Sequence, residues 1–304
     1  MIDWNEISKE LHAAVPALTI FEEEPLSRHT SFRIGGPAAL FVKPSDEEQL
    51  AQVLRFAASR EILPRILGAG TNVLAPDEGL RELVVCTKDA LLGLSDLGGG
   101  KIEAYAGETL SKTAVFAKNL GLTGLEFAHG IPGTAGGGIY MNAGAYGGEM
   151  KQVSVQTAVL TMEGEKQVFS GEEQGFSYRT SAFEKMDAII VKTVLQLAPG
   201  SKEEIAARMQ ELIEKRRASQ PLEYPSAGST FKRPEQGYAA AMIDGCGLKG
   251  FRIGGAMVSE KHAGFVINAG GASFDDVIAV MEHVVETVYR ATGTELEPEV
   301  KIIM

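Results

Sequence analysis

GLEFAHGIPGTAGGGIYMNAGAYGG, residues 124–148, holds nine glycines in twenty-five positions. An interior glycine costs a helix or strand roughly 0.5–1 kcal/mol relative to alanine, so this density argues against ordinary helix or strand. Leu125, Phe127, Ile131, Ile139, Tyr140, Met141 and Tyr146 are threaded through it, so it is not a low-complexity linker. Ordered backbone without side chains lets N–H groups converge on phosphate oxygens and lets a ring system lie against the main chain. A set of tight turns in an irregular β domain would account for the same spacing.

A second glycine turn, Gly68-Ala69-Gly70-Thr71-Asn72, follows the short apolar run Leu63–Leu67. It lacks the third glycine of GxGxxG, no helix clearly follows it, and no glycine run leads into a Walker A lysine. Two glycine loops after strands suggest two stretches of backbone pinching one extended diphosphate cofactor. Around them the pattern is α+β with mixed short strands and no internal repeat. Ser45-Asp46-Glu47-Glu48 reads as a capping box ahead of Leu50, Val53, Leu54 and Ala57 at helical spacing. Strands are expected at 83–86 and 102–106, a helix from Leu110 to Leu120, a hairpin from Val153 to Phe169, and a β-branched strand from Ala188 to Leu197. A helix from Ser201 to about Arg217, with Ile205, Met209 and Ile213 on one face, is followed by a turn-rich stretch, so a domain junction is placed between about 198 and 225. The last third reads as a helix at 238–243, strands at 254–258 and 264–268, a helix at 273–292 and a strand at 299–303.

The chain has 304 residues, of which 44% are hydrophobic and 23% charged, with net charge −11. That balance argues against nucleic acid or an anionic membrane as partner. It leaves room for an anionic small substrate, because Lys215-Arg216-Arg217 and Lys232-Arg233 supply local positive charge. Cys86 and Cys246 stand far apart and outside any CxxC pair, so neither a disulfide framework nor a zinc site is expected. Cys86, within Leu83-Val84-Val85-Cys86, reads as core. No transmembrane-length stretch and no secretory leader pattern is evident, and a cytoplasmic location is expected.

Three polar motifs lie outside the glycine segment. Gly228-Ser229-Thr230-Phe231-Lys232-Arg233 sets a hydroxyl beside two cations that could stabilise its alkoxide, so Ser229 can donate a proton; a plain Ser/Gly turn is the alternative. Tyr178-Arg179-Thr180 places an arginine in a polar-aromatic stretch, where a surface ion pair is the competing reading. Glu299 opens an apolar strand and is either a functional carboxylate or a solvent-facing strand end. His29, His129 and His262 show no metal-ligand spacing, and no metal is expected.

HTSFRIGGPA (29–38), LGAGTNVL (67–74), GLEFAHGIPGTAGGGIYMNAGAYGGE (124–149), FSYRTS (176–181), SAGSTFKRP (226–234), GLKGFRIGGAMVSEKHAGFVINAGG (247–271) and EPEVKII (297–303) stand in order and spacing across nearly the full chain. Together they resemble the UDP-N-acetylenolpyruvoylglucosamine reductases, flavoenzymes of peptidoglycan precursor synthesis. The resemblance implies an FAD-binding fold of the vanillyl-alcohol-oxidase type over residues 1–200, in lobes of roughly 1–85 and 86–200, and a smaller α+β substrate domain over 201–304. It implies non-covalent FAD, held by Gly68, Ala69, Gly70, Thr71 and Asn72 and by Gly130, Ile131, Pro132, Gly133, Thr134, Gly137, Gly138 and Gly144. NADPH would be the reductant and the enolpyruvyl ether of UDP-N-acetylglucosamine the substrate, giving UDP-N-acetylmuramate.

In that chemistry hydride goes from flavin N5 to the vinyl carbon C3, and negative charge develops at C2 and in the carboxylate, where a preorganised donor or cation must face it. The resemblance assigns Arg179 and Glu299 to this charge, with Glu299 protonated or sharing a proton, and Ser229 to proton donation at C2. Tyr178, Lys232, Arg233 and His262 would orient substrate, and Arg216 or Arg217 would meet its diphosphate. The chain between Arg179 and the strand at Ala188 is too short for a long tyrosine-bearing loop, so the shorter-loop subgroup is indicated, with Tyr146, Tyr178 and Tyr224 as possible covers. The resemblance leaves the oligomeric state open and leans to a monomer. Another FAD-dependent oxidase or dehydrogenase of the same cofactor fold and a non-catalytic nucleotide-binding paralogue are the alternatives. The purified protein is expected to be yellow and to release flavin on denaturation; colourless protein that FAD fails to reconstitute would favour the non-catalytic reading.

Overall fold

Seven α-helices are defined over residues 2–304, the part of the chain described by the computed structural model: α1 Trp4–Ala14, α2 Glu47–Ala58, α3 Leu110–Asn119, α4 Ala135–Tyr140, α5 Lys202–Ser219, α6 Ala239–Gly245 and α7 Phe274–Thr292. The chain divides into two units. One comprises the described residues up to Glu23, Ala39–Ala69 and Arg81–Glu214; the other comprises Glu24–Ala38, Gly70–Leu80 and Lys215–Met304. A single cut near residue 200 therefore does not describe the units, because two early segments group with the last third of the chain.

The first unit carries a five-stranded antiparallel sheet in the order Lys166–Ser170, Ser154–Thr161, Ala188–Gln196, Lys101–Tyr105, Leu94–Gly98. Its first two strands are the expected hairpin. Strands Thr19–Pro25, Pro37–Lys43, Leu80–Cys86 and Arg65–Leu67 lie in that order in a second sheet, with Arg65–Leu67 parallel to Val84–Cys86. α2 buries Leu50, Val53, Leu54 and Ala57 as its spacing requires. Its N-cap is Asp46, which accepts the Gln49 N–H at 2.8 Å, so the cap lies one residue later than the Ser45 reading. α5 buries Ile205, Met209 and Leu212; its inward face turns to Leu212, not Ile213. Cys86 is buried, and burial pushes its thiol pKa up.

α4 overturns the expectation that the glycine segment contains no helix, since it runs through Gly136, Gly137 and Gly138. Close packing explains it. A Cβ on Gly136 would lie 2.8 Å from the Ala106 Cβ, and one on Gly138 would lie 3.1 Å from a Leu110 methyl. Tertiary contact here outweighs the weak intrinsic helix propensity of glycine.

The second unit is organised by α7. Ser273 and Asp276 form a capping box at its start, and Gly293, left-handed at φ 72°, ends it. Val277, Val280, Met281, Val284 and Val288 fall every three to four residues and face a core that includes Phe32, Ile34, Leu74, Leu296 and Val300. A three-stranded antiparallel sheet, Arg252–Ile253, Ala256–Val258 and Val266–Asn268, belongs to the same unit. The final strand shortens to Lys301–Ile302 and pairs in parallel with Val73–Leu74. Among the described residues no helix is long and apolar enough to cross a membrane.

Gly136→Ala forces Cβ against Ala106 and is expected to lower unfolding stability by about 1–3 kcal/mol. A Cβ on Gly137 meets only the Thr134 Oγ1, at an ordinary 3.5 Å, so Gly137→Ala should change stability by less than about 1 kcal/mol. Urea titration of the two variants checks the contrast.

Candidate active site

Residues 106–109 stitch the glycine segment in place. Ala135 N–H donates to the Glu108 carbonyl at 2.7 Å and Gly136 N–H to the Ala106 carbonyl at 3.0 Å. Thr109 bridges Thr134, and the Thr134 hydroxyl caps α4 by accepting the Gly137 N–H at 3.3 Å. A Cβ on Gly68 would lie 2.9 Å from that same hydroxyl oxygen. The first glycine loop thus reaches the second within the first unit, at Gly68 and Thr134, and the loop Gly130–Gly133 leads directly into this junction. Gly68 and Ala69 belong to the first unit, whereas Gly70, Thr71 and Asn72 belong to the second. Gly70, at φ 60°, has the His29 carbonyl only 2.0 Å from where a Cβ would stand. Gly144 is accounted for by its own hairpin, Gly144–Ala145 against Gly148–Glu149.

Arg179 sits in a tight turn closed by pairing of Ser177 with Thr180, with N–H···O distances of 3.0 and 3.3 Å. Its backbone is left-handed at φ 55°, unusual for a residue with a side chain. The guanidinium carbon lies 5.2 Å from the centre of the Tyr178 ring, within cation–π range. Asn142, buried and not singled out by its sequence, donates from Nδ2 to the Ser177 carbonyl at 2.9 Å.

Ser229 and Glu299 are brought together in the second unit. Ser229 follows Gly228, which is left-handed at φ 80°, and is exposed. The next residue, Thr230, is buried. Its N–H donates to the Gly264 carbonyl, its hydroxyl accepts the Val266 N–H, and its carbonyl accepts the Glu299 N–H, each at 2.8 Å. Phe231 bridges Pro298, and Lys232 N–H donates to the Glu297 carbonyl at 2.8 Å. Asn72 Nδ2 donates to the Glu299 carbonyl at 2.9 Å, and Lys301 N–H to the Asn72 carbonyl at 2.9 Å. One end of the first glycine turn therefore holds the backbone that bears the Glu299 carboxylate.

The expected substrate-orienting cations are already engaged. The Lys232 ammonium pairs with the Glu297 carboxylate. The Arg233 guanidinium lies over the Tyr238 ring at 4.1 Å. The Arg217 carbonyl accepts from the Lys261 ammonium at 2.7 Å, one residue before His262. His262 accepts the Gly264 N–H at Nδ1, 3.1 Å away, and meets Phe265 edge-on. Burial lowers its pKa below the ordinary 6.5.

The UDP-N-acetylenolpyruvoylglucosamine reductase C-terminal domain model matches residues 220–303, and an FAD binding domain model matches residues 38–170. The chain is 46% identical over 284 residues to the UDP-N-acetylenolpyruvoylglucosamine reductase of Caldanaerobacter subterraneus subsp. tengcongensis, covering 93% of each chain. It is 43% identical to that of Lachnoclostridium phytofermentans, covering 98% of this chain and 97% of the relative. The chain belongs to the UDP-N-acetylenolpyruvoylglucosamine reductase family. The crystal structure of the family's Thermus caldophilus member superposes with TM-score 0.81 at 34% identity, covering 94% of this chain and 100% of that one. Glucooligosaccharide oxidase from Acremonium strictum, 14% identical with TM-score 0.50 over 64% of this chain and 42% of its own, shares the fold alone.

The first unit's residues fit the FAD of this reductase family on two observations. Gly137 is exposed on α4 and a Cβ there would meet only the Thr134 Oγ1, at 3.5 Å, so backbone lies open to a ligand. Close by, Glu108 is buried; its Oε1 accepts the Gly93 N–H at 3.1 Å, while its Oε2 has no hydrogen-bond partner in the protein. Such an atom calls for a donor that the chain does not supply. Glu108 lies outside the quoted motifs, and Asn142 and Thr230 lie within them without being singled out; only the long-range contacts distinguish the three.

A lowered His262 pKa means that the folded state binds this proton less readily than the unfolded chain, so stability rises with pH through the window and is lost as pH falls below the ordinary value of 6.5. His262→Gln, which keeps an acceptor but does not titrate, is expected to flatten the fall in urea midpoint between about pH 7.5 and about pH 5.5. An equal fall in both proteins would place the acid sensitivity elsewhere.

Proposed function

We propose that Ser229, Glu299 and Arg179 carry out the chemistry of this UDP-N-acetylenolpyruvoylglucosamine reductase, which reduces the enolpyruvyl ether of UDP-N-acetylglucosamine to UDP-N-acetylmuramate with NADPH. The observation that carries this reading is the hydrogen bond from the Glu299 N–H to the Thr230 carbonyl, which sets the Ser229 turn beside the segment that bears Glu299. FAD held by the glycine segments would supply the redox chemistry, hydride transfer from NADPH to the vinyl carbon C3. Ser229 completes the reduction by giving its hydroxyl proton to C2, and Lys232 and Arg233 in the same loop favour the alkoxide left behind. Glu299, protonated, donates to the substrate carboxylate; ionised, it would repel it. Arg179 faces the charge that spreads from C2 into that carboxylate.

The remaining assignments follow the same logic. Gly68–Asn72 and Gly130–Gly138 hold the FAD diphosphate and ring. Tyr178, Lys232, Arg233 and His262 orient substrate, and Arg216 or Arg217 meets its diphosphate. Only Ala182–Lys185, a short 3-10 turn, lies between the Arg179 turn and the strand at Ala188, which supports the shorter-loop subgroup. NADPH and a nucleotide sugar are cytoplasmic metabolites, which supports a cytoplasmic enzyme of peptidoglycan precursor synthesis.

Anaerobic reduction followed by addition of the enolpyruvyl substrate should restore the oxidised flavin spectrum; persistence of the reduced spectrum would sink the assignment. Ser229→Ala is expected to leave reduction by NADPH near the wild-type rate and to slow reoxidation by substrate roughly 10²- to 10⁴-fold. Rapid-mixing traces separate the halves, and equal slowing of both would make Ser229 structural. Glu299→Gln keeps a donor and should lose less than Glu299→Ala.

A further inference from the structure

Asn142 is 0% exposed and left-handed at φ 43°. Its side chain makes contacts in three directions. Nδ2 donates to the Ser177 carbonyl at 2.9 Å and to the Glu149 carboxylate at 3.0 Å, and Oδ1 accepts the Lys151 N–H at 2.9 Å. Only a carboxamide offers two donors and an acceptor on one short branch. Asparagine also tolerates the left-handed backbone better than other residues with a side chain, aspartate excepted.

The Ser177 carbonyl caps the far end of this arrangement. Ser177 is the first residue of the turn that Thr180 closes, and Arg179, left-handed at φ 55°, occupies the turn's second central position. An arginine in that conformation is held against a cost of roughly 1–2 kcal/mol, and such a position persists only where its surroundings over-determine it. The Asn142 amide fixes the turn at its base. The Ser181 hydroxyl, donating to the Tyr140 carbonyl at 2.8 Å, fixes the following residue to the end of α4. The glycine segment and the arginine turn are thus one hydrogen-bonded body within the first unit.

We infer that Asn142 is a positioning residue for the reduction, setting the Tyr178–Arg179 turn through the Ser177 carbonyl so that the guanidinium is presented in one orientation. The inference rests on the reading that Arg179 faces the charge developing on the substrate carboxylate. The glycine segment then has two roles, carrying cofactor-binding backbone and aiming a side chain on a different loop.

Asn142→Asp isolates the role, because aspartate keeps the size and the backbone tolerance and removes both donors. Its carboxylate would then face the Ser177 carbonyl and the Glu149 carboxylate. Reoxidation of reduced enzyme by the enolpyruvyl substrate is measured for wild type, N142D, R179A and the double variant, all loaded with FAD and compared for flavin retention and thermal midpoint. Misplacement of a catalytic group by about 1 Å costs roughly 10²-fold, and that loss is expected for N142D in the wild-type background. In the R179A background the further loss should stay within about threefold, since no guanidinium is left to position. The same fold-loss in both backgrounds would overturn the inference and leave Asn142 a purely structural residue. Unchanged reoxidation in R179A alone would remove the Arg179 reading, and this inference with it. Should N142D fail to retain flavin, E149Q goes through the same four-way comparison: it keeps Asn142 but weakens one of its anchors, with an expected loss of about threefold to tenfold and the same criterion in the R179A background.

Discussion

The arrangement of Ser229 and Glu299 in the second unit depends on the hydrogen bonds of one buried threonine. Thr230 spends its N–H on the Gly264 carbonyl, its hydroxyl on the Val266 N–H and its carbonyl on the Glu299 N–H. A buried polar group left unpaired costs about 1–3 kcal/mol, so a shift of any one strand would leave several groups unsatisfied at once. Ser229 is the first residue outside this clamp, and Glu299 is held within it. The clamp continues through Asn72, whose amide and carbonyl bond to both sides of Val300. The Ser229 hydroxyl is thus exposed while the neighbouring backbone is fixed.

The first unit solves a similar problem by different means. Its arginine turn has no strand to lie against and is tied by side chains, Asn142 at the base and Ser181 beyond. Its glycines are there because neighbouring atoms leave no room: Ala106 beside Gly136, Leu110 beside Gly138, and the Thr134 hydroxyl beside Gly68. Gly137 meets no such crowding and is exposed, which leaves backbone open to a ligand on that side of α4.

Elements whose evidence is periodic could be read from the sequence. Val277, Val280, Met281, Val284 and Val288 announce α7, and the turn residues Met162-Glu163-Gly164-Glu165 announce the hairpin. α4 could not be read, because glycine propensity describes an isolated helix and says nothing of an Ala106 waiting against it. The cap of α2 slipped by one residue because Ser45 and Asp46 are both good caps and only the path of the preceding strand chooses between them. The residues bearing functional groups, Arg179, Ser229 and Glu299, stand in recognisable motifs. Asn142 and Thr230 lie in the same quoted stretches, but their part as holders could not be read there, since each acts through contacts with residues far away in sequence. The assignment of 24–38 and 70–80 to the second unit was hidden for the same reason.

Phe32, Ile34 and Leu74 belong to the core built on α7, yet the ribosome makes them long before Phe274–Thr292. At roughly 5–20 residues per second, these apolar side chains wait on the order of 10–50 s for their partners. The nascent chain must keep these two early segments of the second unit uncommitted, or shielded by chaperones, while the first unit can already condense.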